Sequence, residues 1–500
     1  MQISILADEQ HTIFENLNER ENIFPTTYCG GKGLCGKCMI KIISGECSSK
    51  TKQEEKFLKG KPDNYRLACQ TRALSALEIE IPNSSCDCNI LQSYEGSIQV
   101  DNEEEGYGIA IDIGTTSLAL FLVDLNSGKI LNKLSSLNNQ KKYGADVITR
   151  ISYSEDHEDG LKKEQRTITA QLSEHIHTLL SQLDLKIEDL NKIVIAANTT
   201  MMHLLTGENP SGIARAPFIP KFLEERTYEG KELGIDVQCP IYLIGGISSY
   251  VGSDITAGIH SSHFQVPSEV NALFDLGTNG EIALWNKDRI ITCSCAAGPV
   301  FEGASISCGC GSIQGAINEF FIEKDGGIGY KTIGNKDAIG ICGSGIIDLV
   351  AILLKTNIID ETGAMKEDFS IKNTDLYFSI KDVREVQYAK AAIAAGIQIL
   401  LNHEGLDFDD IDNVYLAGGL GTFLNPSNAV TLGLVPIDDH TRIKAIGNSS
   451  LKGALECLVS DRAKDDMIKI RKNAKYIELS TDKDFQDIFV DNMLFCSEDF

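Results

Sequence analysis

Asn271-Ala-Leu-Phe-Asp-Leu-Gly-Thr-Asn-Gly-Glu-Ile-Ala-Leu-Trp285 is the stretch from which the fold is read. Two apolar runs, Ala272 to Phe274 and Ile282 to Trp285, flank Asp275-Leu-Gly-Thr-Asn-Gly280. That pattern predicts a β-hairpin whose turn is rich in glycine and in hydroxyl or amide groups. Successive backbone N–H groups in such a turn can close around phosphate oxygens, because no side chains hold the anion away. Asp275, at the mouth, is suited to hold a metal ion or its waters beside those phosphates. Asp-x-Gly alone is common in hairpins; here it gains weight because the chain contains the arrangement twice.

The second copy is Ile109-Ala-Ile-Asp-Ile-Gly-Thr-Thr-Ser-Leu-Ala-Leu-Phe-Leu-Val123. Aligning Asp112 with Asp275 matches Gly114 to Gly277 and Thr115 to Thr278, again between apolar strands. Each hairpin is followed by a buried strand breaking into a small-residue turn. These are Lys192-Ile-Val-Ile-Ala-Ala-Asn-Thr-Thr200 and Asn413-Val-Tyr-Leu-Ala-Gly-Gly-Leu-Gly421. Order and residues repeat together, which points to a duplicated α/β domain with two phosphate-binding hairpins facing one cleft.

These segments resemble the actin, Hsp70 and sugar-kinase superfamily of ATP-binding domains. Asp112-Ile-Gly-Thr-Thr-Ser117 is similar to its first phosphate motif, Asp275-Leu-Gly-Thr-Asn-Gly280 to its second, and Leu416-Ala-Gly-Gly-Leu-Gly421 to its adenosine motif. Gly245-Gly-Ile-Ser-Ser-Tyr-Val-Gly-Ser-Asp254 and Gly447-Asn-Ser-Ser-Leu-Lys-Gly453 stand where the superfamily's connecting segments hinge its lobes. The resemblance implies roles: Asp112 and Asp275 position Mg²⁺ and its waters. Gly114, Thr115, Thr116, Gly277, Thr278, Asn279 and Gly280 contact the phosphates of ATP, and Gly418 and Gly419 border adenosine. Asp254 is the candidate to orient the attacking water; capping the helix Ile255 to Ile259 is an equally open role. Gly343-Ser-Gly345 opens an apolar helix, Ile346 to Leu354, and offers either a phosphate site or a plain cap.

Composition sets the outer bounds. With 500 residues, 42% apolar and 23% charged, the chain suits two or three soluble globular domains. No apolar run approaches the roughly eighteen residues of a membrane span, and Met1-Gln-Ile-Ser-Ile-Leu-Ala-Asp-Glu lacks the basic start of a signal peptide. The net charge of −25 argues against nucleic acid and anionic lipid as partners. Fifteen cysteines without an export signal suggest reduced thiols and a metal site, hence a cytoplasmic protein. The charge is uneven: residues 1–83 carry eleven bases and eleven acids, 84–106 six acids and no base, and 107–500 the remaining −19. The acidic middle stretch reads as a linker between two domains of different character. Its Cys86-Asp-Cys88 reads as a pair of free thiols.

The first domain is read from Cys29, Cys35 and Cys38, a C-x5-C-x2-C pattern in Tyr28-Cys-Gly-Gly-Lys-Gly-Leu-Cys-Gly-Lys-Cys38, followed by Cys69 in Arg66-Leu-Ala-Cys-Gln70. Three close thiolates and one distant thiolate is the ligation pattern of a loop-bound [2Fe–2S] cluster. The loop glycines let the chain wrap the cluster and turn N–H groups toward its sulfides. Zinc is the competing reading, but it usually draws on two paired knuckles and only one is present. Alternating Gln2 to Leu6, Met39 to Ile43 and Leu77 to Ile81 predict strands. The whole resembles a ferredoxin-type β-grasp domain, with the first gap of vertebrate-type and some bacterial ferredoxins. Cys47 lies outside the pattern.

The fold class expected is therefore α/β, a β-grasp ferredoxin-like domain (1–83), an acidic linker (84–106) and a two-lobed actin-like ATPase domain (107–500). Its first lobe spans about 107–260 and its second about 261–500, with a C-terminal return to the first. That fusion resembles the RACo-like, ATP-dependent reductive activators of corrinoid proteins. Asn198-Thr-Thr-Met-Met-His-Leu-Leu205, Ala214-Arg-Ala-Pro-Phe-Ile-Pro220, Ala296-Ala-Gly-Pro-Val-Phe-Glu-Gly303, Ile341-Cys-Gly-Ser-Gly-Ile-Ile-Asp348 and Val383-Arg-Glu-Val-Gln-Tyr-Ala-Lys390 carry the resemblance further. It implies that ATP is spent to return an inactive Co(II) corrinoid of a methyltransferase system to Co(I), with an upstream low-potential electron donor and room for a homodimer. Larger members carry a middle domain between ferredoxin and ATPase; here only the acidic linker is expected in that place. Two other classes stay open: a small-molecule kinase, which needs no ferredoxin domain, and an ATP-independent electron carrier, which needs no duplicated nucleotide site.

Three further groups are read as ordinary structure. Cys293, Cys295, Cys308, Cys310 and Cys342 read as small buried hydrophobes rather than a second metal site. His175 and His177, two apart on the helical run Ile168 to Leu180, diverge and cannot share a metal. Asp482 to Phe500 reads as a closing helix and tail.

Overall fold

A computed structural model describes residues 2–20, 33, 36, 38–59, 61–81, 98, 100–101, 104–262, 264, 269–277, 279–303, 305–418 and 424–495. The chain forms two compact units, Met1–Asp87 with Leu137–Ile168, and Cys88–Ser136 with Thr169–Phe500. The segment Leu137–Ile168, which the sequence reading placed within the first ATPase lobe, thus groups with the ferredoxin-like stretch.

In the first unit, Gln2–Ile5, Leu77–Glu80, Met39–Ser44 and Tyr65–Leu67 form a four-stranded sheet in that order. The alternating residues Ile3, Ile5, Ile40, Leu77 and Ile79 face a core that also takes Ile13, Leu17 and Leu67. Below it lies a buried carboxylate. Glu54 lies in the first turn of the short helix Lys52–Phe57 capped by Thr51, and its oxygens accept from Arg66 Nε at 2.9 Å and Nη2 at 3.0 Å, from the Leu67 N–H at 3.0 Å and from Thr71 Oγ1 at 3.1 Å. Burial alone would raise the Glu54 pKa, but the guanidinium and the N–H donors hold it below the ordinary value. This forked pair anchors the strand that leads into the Cys69 turn; removing one partner of such a buried pair costs about 3–5 kcal/mol.

The second unit carries two six-stranded sheets that share a plan over five strands, the sixth strand lying at opposite edges. In the first the order is Arg226–Glu229, Pro240–Leu243, Leu190–Ala197, Tyr107–Ile113, Ser117–Asp124, Lys129–Leu137. In the second it is Ile443–Gly447, Asn413–Ala417, Asn271–Leu276, Gly280–Trp285, Ile290–Cys295, Ala474–Tyr476. The duplication extends to register. Asp112 lies between Ala119 on its hairpin partner and Ala196 on the parallel strand; Asp275 lies between Glu281 and Ala417. Near-continuous apolar residues in these strands fit sheets covered on both faces.

Two helices join the lobes. Ser253–Ser261 and Ser449–Val459 cross so closely that a Cβ on Gly453 would lie 2.3 Å from the Ala257 carbonyl oxygen. Ser261 Oγ donates to the Ser449 carbonyl at 3.0 Å, and Lys452 Nζ to the Ser261 carbonyl at 2.9 Å. These are the two connecting segments expected from Gly245 to Asp254 and Gly447 to Gly453. The expected apolar helix is Gly343–Lys355, and the C-terminal stretch contains the helix Phe485–Asp491. Among the described residues no helix is long and apolar enough to cross a membrane.

Candidate nucleotide cleft and cluster loop

The two hairpins place their aspartates at equivalent strand ends. Asp112 Oδ1 accepts from Ser450 Oγ and Oδ2 from Asn448 Nδ2, each at 2.8 Å. Both donors come from the second connecting segment, so Asp112 ties the first hairpin to a lobe-joining helix. Burial raises its pKa, opposed by these two donors. Gly114 closes its turn through a 2.9 Å bond from its N–H to the Ser117 carbonyl, and Gly277 does so to the Asn279 carbonyl at 3.0 Å. Thr115 Oγ1 accepts from Asn198 Nδ2 at 2.9 Å, and Thr116 lies half-buried in the same turn. Thr278 and Gly419 lie outside the described residues.

Gly418 follows strand Asn413–Ala417 with φ +87°, and a Cβ there would lie 2.9 Å from Asp275 Oδ1. Backbone conformation and lack of space both require glycine, which leaves the carboxylate flanked by bare backbone.

Asp254 is the second residue of helix Ser253–Ser261, whose N-cap is Gly252. Asp254 is therefore not the N-cap residue; its carboxyl accepts from the Ile255 N–H at 2.9 Å and from its own backbone N–H, both in the first turn. Its position leaves the carboxyl facing the other acids. Burial, then Asp275 and Asp112, push its pKa up to about 8; burial and Asp112 push Asp275 up to about 7. Glu281, directly across the hairpin from Asp275, is pushed well above the ordinary value by burial, then by Asp254 and Asp275, while the Asn279 side chain donates to it. Asp254 thus lies within electrostatic reach of Asp112, Asp275 and Glu281, and Asp275 of Asp112 and Glu281, a repulsive field that a nearby cation would relieve.

Glu281 was missed from sequence, as were Asn448 and Ser450 as partners of Asp112. The signal for Glu281 was present: a hairpin closed by Gly277-Thr-Asn279 must set residue 281 opposite 275.

The shifts carry a pH signature. A carboxyl whose folded pKa exceeds its unfolded value, near 4 for Asp, binds more protons in the folded state, so stability falls as pH rises through the folded pKa. For Asp275 and Asp254 the window runs from about 4 to about 8. Without metal and nucleotide, the ATPase unit is expected to melt at lower temperature as pH is raised from about 6 to about 8.5. Saturating Mg²⁺ and nucleotide should flatten that slope. Calorimetric scans with and without chelator check it; equal slopes in both would contradict the repulsive cluster.

In the first unit, Cys38 and Cys69 are buried with their Sγ atoms 3.2 Å apart. Gln70 Nε2 lies 3.9 Å from Cys69 Sγ. Two thiols separated by thirty residues of sequence thus converge, as a shared metal–sulfur group requires. Cys29 and Cys35 lie outside the described residues, as do Cys86 and Cys88. Cys47 Sγ is 2.8 Å from Arg66 Nη1.

The other thiols disperse. Cys293, Cys295 and Cys342 donate to the carbonyls of Gly396, Gly280 and Ile317, and Cys308 Sγ accepts from the Tyr377 N–H. Among the described residues no group of three or more His, Cys, Asp or Glu side chains is placed to ligate a metal ion directly, the cleft carboxyls included. His175 meets Ser136 and His177 meets Asp236, so they share no metal. The N-terminus of Gly343–Lys355 is buried, with no side-chain cap bond and with Ser344 Oγ donating to the Asn318 carbonyl at 2.8 Å.

Comparison with known proteins follows these divisions. Residues 2–74 match the 2Fe-2S iron-sulfur cluster binding domain, 107–266 the RACo middle region, and 269–500 the C-terminal domain of RACo, the ASKHA domain. The expectation that a middle domain is missing is thereby corrected: the first lobe itself matches the middle region. The corrinoid activation enzyme RamQ of Eubacterium limosum is 33% identical over 425 residues, covering 79% of this chain and 71% of RamQ. The [Co(II) methylated amine-specific corrinoid protein] reductase of Methanosarcina barkeri is 25% identical over 421 residues, covering 77% and 76%. A solved structure titled reductive activator for corrinoid,iron-sulfur protein superposes with a TM-score of 0.71 at 30% identity, covering 98% of this chain and 96% of that one.

Proposed function

Since the chain belongs to the RACo family of corrinoid reductive activators, we propose that it hydrolyses ATP to return a Co(II) corrinoid protein to Co(I). The observation that carries this reading is the joining, in one chain, of a cluster-binding ferredoxin domain to a two-lobed nucleotide domain whose hairpin aspartates face the same cleft. A kinase needs no electron carrier, and an electron carrier needs no ATPase.

In this reading Asp112 and Asp275 would hold Mg²⁺, which would supply charge neutralisation at the phosphates. Gly114, Thr115, Thr116, Gly277, Thr278, Asn279 and Gly280 bind the phosphates through N–H and hydroxyl groups, while Gly418 and Gly419 give the nucleoside a flat backbone. Asp254 orients the water that attacks the terminal phosphate, and Glu281 holds the Asn279 amide in place. Cys29, Cys35, Cys38 and Cys69 hold the [2Fe–2S] cluster, which supplies a one-electron carrier when bound. The lobe-joining helices change the cleft between nucleotide states. Because a ligand shifts an equilibrium only by its differential affinity, ATP can bias the electron only if the two states bind the partner differently. A low-potential donor outside the chain refills the carrier.

The test is partner-dependent turnover. ATP hydrolysis should rise several-fold on adding a Co(II) corrinoid protein and stay flat with sugars or other small phosphate acceptors. Formation of a phosphorylated metabolite, with no response to the corrinoid protein, would overturn the proposal in favour of a kinase.

A further inference from the structure

Residues 215–225 connect helix Ser211–Ala214 to strand Arg226–Glu229, the edge strand of the first-lobe sheet. There Arg215-Ala-Pro-Phe-Ile-Pro220 presents an apolar tip: Ala216 and Pro217 are exposed, and Ile219 is 67% exposed, the most exposed large apolar side chain described in the second unit. A single exposed isoleucine is ordinary. This one stands on a support built from the nucleotide cleft.

The support has two sides. On one, Phe218 sits at φ +57°, its N–H donates to the Arg215 carbonyl at 2.7 Å, its carbonyl accepts from Ser249 Oγ at 2.5 Å, and its ring centroid is 5.6 Å from that of Tyr250. On the other, the Lys221 N–H donates to His203 Nε2 at 3.0 Å, which leaves Nδ1–H to donate to the Thr199 carbonyl at 2.7 Å. His203 also stacks on Phe222 at 4.6 Å, and the Arg226 guanidinium lies 3.9 Å from the centroid of that ring.

Both sides lead to the cleft. Thr199 Oγ1 donates to the Ser248 carbonyl at 2.6 Å, and its neighbour Asn198 donates to Thr115 in the first phosphate hairpin. Tyr250 precedes Asp254 by four residues, and a Cβ on the intervening Gly252 would lie 2.5 Å from Asn198 Cα. The tip is therefore bonded to the same two segments that carry Asn198 and Asp254.

We propose that the Ala216–Ile219 tip is where the corrinoid protein docks, and that the Ser249–Phe218 bond makes docking respond to the nucleotide. This rests on the activator reading: such an activator must offer its partner a surface that changes with nucleotide state, and this apolar surface is linked to a phosphate hairpin. Charge adds to the case, since exposed Arg215 and Lys221 flank the tip in a chain of net charge −25. The matching partner surface is an apolar hollow rimmed by carboxylates.

Ile219→Asp and Ser249→Ala separate the two halves of the proposal, using holoprotein and the Co(II) corrinoid protein that stimulates wild-type ATP hydrolysis. Ile219→Asp should weaken binding roughly thirty-fold or more, the scale of an interface hot spot. Its basal ATP hydrolysis and cluster spectrum should be those of wild type, which also reports that it folds. Ser249→Ala should still bind, with affinities in ADP and in a non-hydrolysable ATP analogue converging. Wild-type affinity in Ile219→Asp overturns the docking site, and an undiminished nucleotide response in Ser249→Ala overturns the coupling. If wild type itself fails to bind any corrinoid protein, the activator reading fails and the docking proposal falls with it.

Discussion

Cys69→Ala is expected to give a protein that hydrolyses ATP, holds essentially no iron and reduces no partner. Cys69 is buried, with its Sγ 3.2 Å from that of Cys38, in a turn reached from a strand that Glu54 and Arg66 anchor. The substitution removes one thiolate and leaves that anchor intact, so the sheet of the first unit should persist without its cluster. The nucleotide cleft draws on none of these residues. Iron and sulfide analysis, the visible spectrum and the electron paramagnetic resonance signal after dithionite read the loss; ATP turnover reads what remains. Wild-type iron content in Cys69→Ala would remove Cys69 from the ligand set. Stoichiometric zinc without iron in anaerobically prepared wild type would refute the cluster altogether.

The nucleotide domain was legible from sequence because its decisive residues repeat. The turns after Asp112 and Asp275, and the strands ending at Ala197 and Ala417, occupy equivalent places in the five-strand order the two sheets share. A duplicated local pattern specifies hydrogen-bond register as well as element type, which is why the hairpins and their parallel neighbours could be placed together. The ferredoxin strands were legible for a simpler reason, period-2 alternation around a cysteine pattern.

What sequence concealed is what tertiary structure alone brings together. Asn448 and Ser450 reach Asp112 from more than three hundred residues away. Nothing local marks Leu137–Ile168 as grouping with the first unit, because its helices read like any amphipathic pair. Glu54 looks like one more surface acid in Lys52-Gln-Glu-Glu-Lys56, and only the fold shows it buried against Arg66. The loop at Ala214 to Pro220 matched the family as a string of residues, while its tie to Ser249 depends on a turn thirty residues further on.

Asp275→Ala carries the second large effect. The carboxylate stands at the mouth of the second hairpin, beside bare backbone at Gly418 and in the field of Asp112. In the role proposed for it, organising charge stabilisation of phosphoryl transfer, its removal is expected to cost roughly a hundred- to a thousand-fold in rate. The cysteines proposed to hold the cluster are untouched, so dithionite should still reduce the variant to the same spectrum as wild type. The defect should therefore lie in coupling ATP to the electron, with the carrier itself intact.

The decisive measurement holds the donor by a redox buffer about 60 mV above the partner's Co(II)/Co(I) couple, where about a tenth of the cobalt is Co(I) at equilibrium. With ATP, wild type should carry most of the partner to Co(I), followed by its absorbance, and keep it there until ATP is exhausted. Asp275→Ala, with its cluster intact and ATP present, should stay near a tenth. If the two proteins reach the same level, or if wild type holds the higher level on ADP, ATP hydrolysis does not drive the electron.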